Sequence, residues 1–287
     1  MAEFAHGYWW SNDGIRLHYR DYRGGADGRP PILCLPGLTR NARDFEALAE
    51  RLAPQWRVIA VEFRGRGESG FAKDPMTYVP LTYVQDIEAL IRELRLTAFV
   101  SIGTSLGGLV TLLMAGAERG RLRGAVLNDV GPALEPEGLE RIRAYVGRGG
   151  SWPTWLHAAR SLAELNGHVY PGFGIEDWLA MAKRLYRLAP SGRITIDYDS
   201  RIAEPMRLPG GEAGIDLWPA LEPLRDVPVL ILRGARSDVL APATVERMLT
   251  ALPMAEAVTV PDVGHAPLLV EAEAVAAIDR LLARVGG

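Results

Sequence analysis

Six short, continuous apolar runs punctuate this chain, and helix-patterned stretches separate most of them. The runs are PPILCLPG (30–37), WRVIAVEF (56–63), FVSIG (99–103), GAVLNDVGP (124–132), VPVLILRG (227–234) and AEAVTVPD (255–262). Between them, helical spacing covers Phe45 to Leu52, Tyr83 to Leu94, 106–118, Ala243 to Leu252 and Leu268 to Val285. A strand that is apolar at every position has no solvent face. Its neighbours must cover both sides, which calls for a mostly parallel sheet with helices on both faces. Ahead of this pattern, Tyr8 to Ser11 and Ile15 to Tyr22 read as a hairpin around Asn12-Asp13-Gly14.

The alternation stops between about Leu134 and Gly214. That segment reads as helices over Glu137 to Val146, Trp152 to Leu165 and Ile175 to Leu188. Ser151 is the expected N-cap of the middle one, with Pro153 in its first turn, and 194–199 is a short extended piece. The organisation expected is a core of residues 1–133 and 215–287 with a helical lid, 134–214, inserted after a sheet strand. Within 135–215, ten Lys/Arg face ten Asp/Glu, so the balance gives no warrant for a strongly charged substrate. Trp152, Trp155 and Trp178, three of the seven tryptophans, suggest an apolar pocket under it.

Composition excludes several classes. At 287 residues the fold buries roughly 75% of its unfolded surface and needs no staples. A net charge of −3 with no basic block argues against nucleic acid or an anionic membrane as partner. Cys34 is the only cysteine, so no intrachain disulfide forms. The N-terminus, with Glu3 and no long apolar stretch, does not read as a signal peptide, and no run approaches the ~20 residues of a membrane helix. A cytoplasmic protein is the expectation. One cysteine and scattered histidines make no zinc site, and no phosphate-binding glycine loop follows a strand, so no metal or cofactor is expected.

Gly103-Thr104-Ser105-Leu106-Gly107 joins an apolar run to a helix. A sharp strand-to-helix turn strains the serine backbone and pushes its Oγ out of the sheet. Side chains two residues either side would collide, hence the glycines, and the new helix aims its amides at the same point. A serine needs a base. Of His6, His18, His157, His168 and His265, only His265 lies in a glycine-bearing turn after a late strand. Ligands bind at such strand ends. An acid must hold the base. Asp238, in RGARSDVL, follows a late strand and fits the order Ser, Asp, His. Asp129, in LNDVGP, also follows a strand and is the competing acid. Glu62 ends a strand but leads into the RGRG turn and reads as structural. The Leu106 amide and the Leu38 amide, in LPGLTRN, are the candidate oxyanion-hole donors.

With the LPGL loop, the RGRGESG turn, the GTSLGG elbow, RGARSDVL and DVGHAP in this order, the chain resembles the α/β-hydrolase superfamily over nearly its whole length. It is most similar in style to bacterial members with a helical lid: 3-oxoadipate enol-lactonases, meta-cleavage-product C–C hydrolases and small carboxylesterases. The resemblance implies Ser105, Asp238 and His265 as triad, with the Leu38 and Leu106 amides as hole. Two positions depart from the family pattern. Pro36 stands where a histidine is usual, and Glu62 where an aspartate is usual. Ser105 argues against the epoxide hydrolases and haloalkane dehalogenases of this fold, which use an aspartate. The activity expected is hydrolysis of a small, mainly apolar ester or lactone. The alternatives are C–C hydrolysis of a ring-cleavage product, cofactor-free perhydrolysis, or a small-molecule receptor built on the fold.

Overall fold

A computed structural model describes residues 3–25, 28–117, 120–207 and 216–286. The elements run β1 (Ala5–Trp10), β2 (Arg16–Tyr22), β3 (Ile32–Leu35), α1 (Glu46–Leu52), β4 (Val58–Glu62), α2 (Pro80–Glu93), β5 (Phe99–Thr104), α3 (Leu106–Ala115) and β6 (Leu122–Asn128). An insert follows, with α4 (Pro136–Tyr145), β7 (Ser151–Trp152), α5 (Trp155–Asn166), α6 (Ile175–Leu185), β8 (Tyr186–Leu188) and β9 (Ile194–Ile196). The chain then returns to β10 (Val229–Gly234), α7 (Pro242–Ala251), β11 (Ala255–Val260) and α8 (Ala272–Val285).

Eight strands form one sheet in the order β1-β2-β4-β3-β5-β6-β10-β11. The pairs β1/β2 and β2/β4 are antiparallel and the rest are parallel. This is the mostly parallel sheet that the apolar runs imply, in the α/β-hydrolase arrangement that the resemblance implies. Successive residues of a strand point to opposite faces. In β3, Leu33 and Leu35 join one core cluster, while Ile32 and Cys34 join the other. The first cluster packs under α2, α3 and α7, the second under α1 and α8. Each face therefore consumes half of every apolar run, which is why the runs show no alternation.

The insert has its own small core, built from Ala158, Leu162, Trp178, Met181 and Leu185 among others. It differs from the expected all-helical segment. Ser151 and Trp152 form a strand, not the start of a helix, and β7, β9 and β8 make a three-stranded antiparallel sheet. Thr154 caps α5, accepting the His157 amide on its Oγ1. That cap takes the place expected of Ser151. The chain past Leu185 leaves the helix and pairs with β9. A partly buried ion pair and a backbone bond help to stitch the insert to the core. Arg43 Nη2 reaches Asp197 Oδ2 at 2.6 Å, and the Asp199 amide donates to Gly65 O at 2.8 Å. The expected far boundary, Gly214, lies outside the described residues.

Candidate active site

The elbow is set by close backbone approaches. A Cβ on Gly103 would stand 2.4 Å from Gly107 O, one on Gly107 2.0 Å from Leu35 O, and one on Gly108 2.3 Å from Val130 Cγ1. Only glycine fits at each. Ser105 sits between at φ 51°, ψ −114°, a left-handed conformation that costs a non-glycine residue on the order of 1–3 kcal/mol. The strained serine is held there by its own amide, which donates to Asn128 O at 3.0 Å.

Ser105 Oγ lies 2.8 Å from His265 Nε2. His265 Nδ1 lies 2.7 Å from Asp129 Oδ2. A carboxylate only accepts, so Nδ1 carries the proton and Nε2 is left to accept from the serine. Asp129 follows β6 directly and is itself left-handed, φ 57°. Its carboxylate is fully buried and takes three donors: His265 Nδ1, the Gly234 amide at 2.8 Å and Ser237 Oγ at 2.6 Å. Asn128 joins the parts, since its Nδ2 donates to Thr104 Oγ1 at 3.0 Å and to Pro267 O at 2.8 Å. The end of β5, the end of β6 and the histidine loop are thereby tied together.

Asp238, the acid favoured from sequence, is not at the histidine. The turn after β10 points Ser237 inward to Asp129, and Asp238 faces the insert instead. Its carboxylate takes Nε and Nη2 of Arg141 from α4, the second at 2.8 Å. Burial works against that carboxylate, but the Arg141 hydrogen bonds and charge prevail and hold it below its usual range. The two aspartates look alike in sequence. What separates them is the left-handed residue after β6 and the serine that fills the other turn.

Leu38 and Leu106, the two candidate hole residues, line one cavity with Ser105 and His265. The Leu38 loop is braced from below by Arg66, whose Nε donates to Leu38 O at 2.9 Å and whose Nη1 donates to Arg64 O and Tyr83 Oη. Glu62 is buried under the same loop, where it accepts from the amides of Ala42 and Glu68 and contacts His18 Nδ1 at 2.9 Å. Its reading as a structural residue agrees with that placement. Pro36, with no polar side-chain atom, adds no side-chain hydrogen bond to this loop.

The cavity measures about 1210 Å³, large for a small-ligand site. Trp152 lines it, stacked on Tyr186 at 4.5 Å between ring centroids. Trp178 does not line it. That residue is buried in the insert's own core, where it meets Phe173 and Tyr170. Tyr170 Oη donates to Ala266 O at 2.8 Å, beside the histidine. Polar side chains on the wall that went unread in the sequence include Arg40, Asp44, Arg141, Tyr145 and Tyr170. The proximity of Arg40 and Asp44 to LPGL was the only signal available for them. Among the described residues no group of three His, Cys, Asp or Glu side chains could hold a metal ion, and no helix is long and apolar enough to cross a membrane.

Comparison with known proteins agrees with this architecture. The model of the alpha/beta hydrolase family matches residues 32–278. A 3-hydroxybutyrate-oligomer hydrolase of Cupriavidus necator is 34% identical over 268 residues, covering 89% of each chain. A 2-(acetamidomethylene)succinate hydrolase of Mesorhizobium japonicum is 30% identical, covering 88% of this chain and 85% of its own. The crystal structure of an alpha/beta hydrolase from Novosphingobium aromaticivorans superposes with a TM-score of 0.95 at 56% identity, covering 99% of this chain and 100% of that one. The chain belongs to the alpha/beta hydrolase family and is an enzyme of that fold.

Proposed function

We propose that this enzyme is a serine hydrolase that cleaves a carboxylic ester or lactone of a small substrate through an acyl-enzyme on Ser105. The observation that carries the reading is the unbroken line from Ser105 Oγ through both nitrogens of His265 to Asp129, opening onto the cavity. Ser105 attacks the carbonyl carbon as its proton passes to His265 Nε2. Asp129 keeps the ring in the required tautomer and stabilises the imidazolium. The carbonyl oxygen, now an oxyanion, turns to the Leu38 and Leu106 amides. One such donor is worth about 10²–10³ in kcat. His265 returns its proton to the departing alkoxide. Water, deprotonated by the same histidine, then releases the acid and restores Ser105. The relatives named as hydrolases of a hydroxybutyrate oligomer and of a substituted succinate support acyl substrates of modest size.

The test is turnover of short 4-nitrophenyl esters and of simple lactones by the purified protein. Saturable hydrolysis with a pre-steady-state burst of nitrophenol is expected. No turnover on any ester or lactone, by folded protein, would refute the reading.

The insert acts as a lid that sets substrate range, since the residues given chemical roles all lie outside it. Of Trp152, Trp155 and Trp178, only Trp152 lines the cavity, so Trp152→Ala is the informative change. It is expected to alter the ratio of kcat/KM for long over short esters. A lost contact of methylene size shifts such a ratio by roughly 10–200-fold at most. Labelling by a small fluorophosphonate should persist in this variant. Steady-state assays on a chain-length series, with a thermal melt to confirm folding, check both points.

A further inference from the structure

Of the four arginines that line the cavity with Ser105, Arg40 from the core and Arg141 from the insert are each held by an aspartate, while Arg143 and Arg148 line it as well. Arg40, on the loop after β3, binds Asp44 through Nε and through Nη2, the second at 3.0 Å. Both residues line the cavity, and both keep some exposure, 20% and 16%. Arg141, on α4, binds Asp238 through the same Nε and Nη2 edge and lines the same cavity. A guanidinium has five N–H donors in a fixed fork. A carboxylate on the Nε/Nη2 edge uses two of them, which leaves Nη1 for another partner. Each arginine is thus fixed in orientation while part of its fork stays open.

Arg40 stands close to the reacting centre. A Cβ built on Gly37 would lie 3.2 Å from Arg40 Cγ and 3.9 Å from Ser105 Cβ, so the two side chains flank one glycine. The Arg40 charge also reaches the far walls. Burial raises the pKa of the Tyr170 phenol, and Arg40 pulls it back. Burial likewise raises that of the Tyr145 phenol, with Arg141 and Arg40 both opposing it. Glu140 and Asp216 also line the cavity, but at exposed positions. A neutral alkyl ester has no use for paired guanidiniums beside its carbonyl. Desolvating them for it would be a cost without return.

We propose that Arg40, steadied by Asp44, together with Arg141, steadied by Asp238, binds a carboxylate carried by the substrate, so that the ester cleaved has a free carboxylate a few carbons from its scissile carbonyl. This specificity rests on the ester-hydrolase reading above. An arginine held along one edge meets an incoming carboxylate without losing rotamer freedom at that moment, which favours affinity and fixes the register of the chain over Ser105. A neutral analogue leaves the open N–H groups unpaired in a desolvated wall, and such sites reject analogues strongly.

The experiment compares free acids with their methyl-capped counterparts. On the acyl side, mono(4-nitrophenyl) succinate, glutarate and adipate are set against the matching methyl diesters. On the alcohol side, 3-butyryloxybutyrate is set against its methyl ester. Rates are corrected for uncatalysed hydrolysis. The wild type is expected to favour one or more free acids by about 10² or more in kcat/KM. The ratio should collapse toward one in an Arg40→Met, Asp44→Asn double variant, which leaves neither partner as a lone buried charge. Arg141→Met should reduce it as well. Calorimetric titration with glutarate, against dimethyl glutarate, reads the site without turnover, and its binding should vanish in the double variant. Equal use of free and capped esters by the wild type would overturn the proposal, as would a preference that survives in both variants. If no ester of either kind is cleaved, the hydrolase reading fails. Glutarate titration then decides the anion site alone: binding lost in the double variant sustains it, and no binding ends it.

Discussion

Asparagine at position 129 is expected to lower kcat about 10⁴-fold, the loss seen when the acid of a Ser-His-Asp system becomes its amide. The geometry gives the reason. Oδ1 of residue 129 accepts the Gly234 amide, so an asparagine would keep its oxygen there. Its Nδ2 then faces His265 Nδ1 and must donate to it. The ring proton moves to Nε2, which can no longer accept from Ser105. The fold should survive, because the amide matches the carboxylate in shape. Asp238→Asn is expected to cost less than tenfold, since that carboxylate contacts Arg141 and not the histidine. Steady-state kinetics on a 4-nitrophenyl ester, with melts of both variants, check the pair. The reverse order would return the acid's role to Asp238.

Alanine at position 105 is expected to lower turnover on the order of 10⁶-fold, because removal of one member of a triad disables the others. What remains should be the contribution of the hole and of substrate binding. The variant should be no less stable than the wild type. Ser105 carries backbone strain at φ 51°, but alanine adopts that conformation no more easily, so the change is nearly neutral on that account. Loss of only tenfold to a hundredfold would mean that another group does the chemistry.

The strands were legible because burial on both faces leaves continuous apolar runs, as in β3 and β5. Ser105 and His265 were legible for a different reason: glycine spacing and position after a strand leave few alternatives. Asp129 was not, since two aspartates each follow a strand and only the turn geometry aims one of them at the ring. The left-handed φ at Asp129 and the inward Ser237 are tertiary facts with no local sequence signature. The β7 strand was hidden for the opposite reason. Ser151 and Pro153 form a plausible helix start, and Thr154 three residues on is a better one. Charge was misleading in another way. The balance of ten against ten in the insert says nothing about placement. Glu140 sits exposed at the cavity wall while Arg141, its neighbour in sequence, is half-buried there and lines the same cavity as a core residue, Arg40.

The most direct test of a covalent mechanism at Ser105 is intact-mass measurement after exposure to a fluorophosphonate, with the wild type and Ser105→Ala side by side. One adduct on the wild type, mapped to the peptide containing Ser105, and none on the alanine variant is the result expected. An adduct of equal extent on Ser105→Ala, or one mapped to another residue of the wild type, would contradict it.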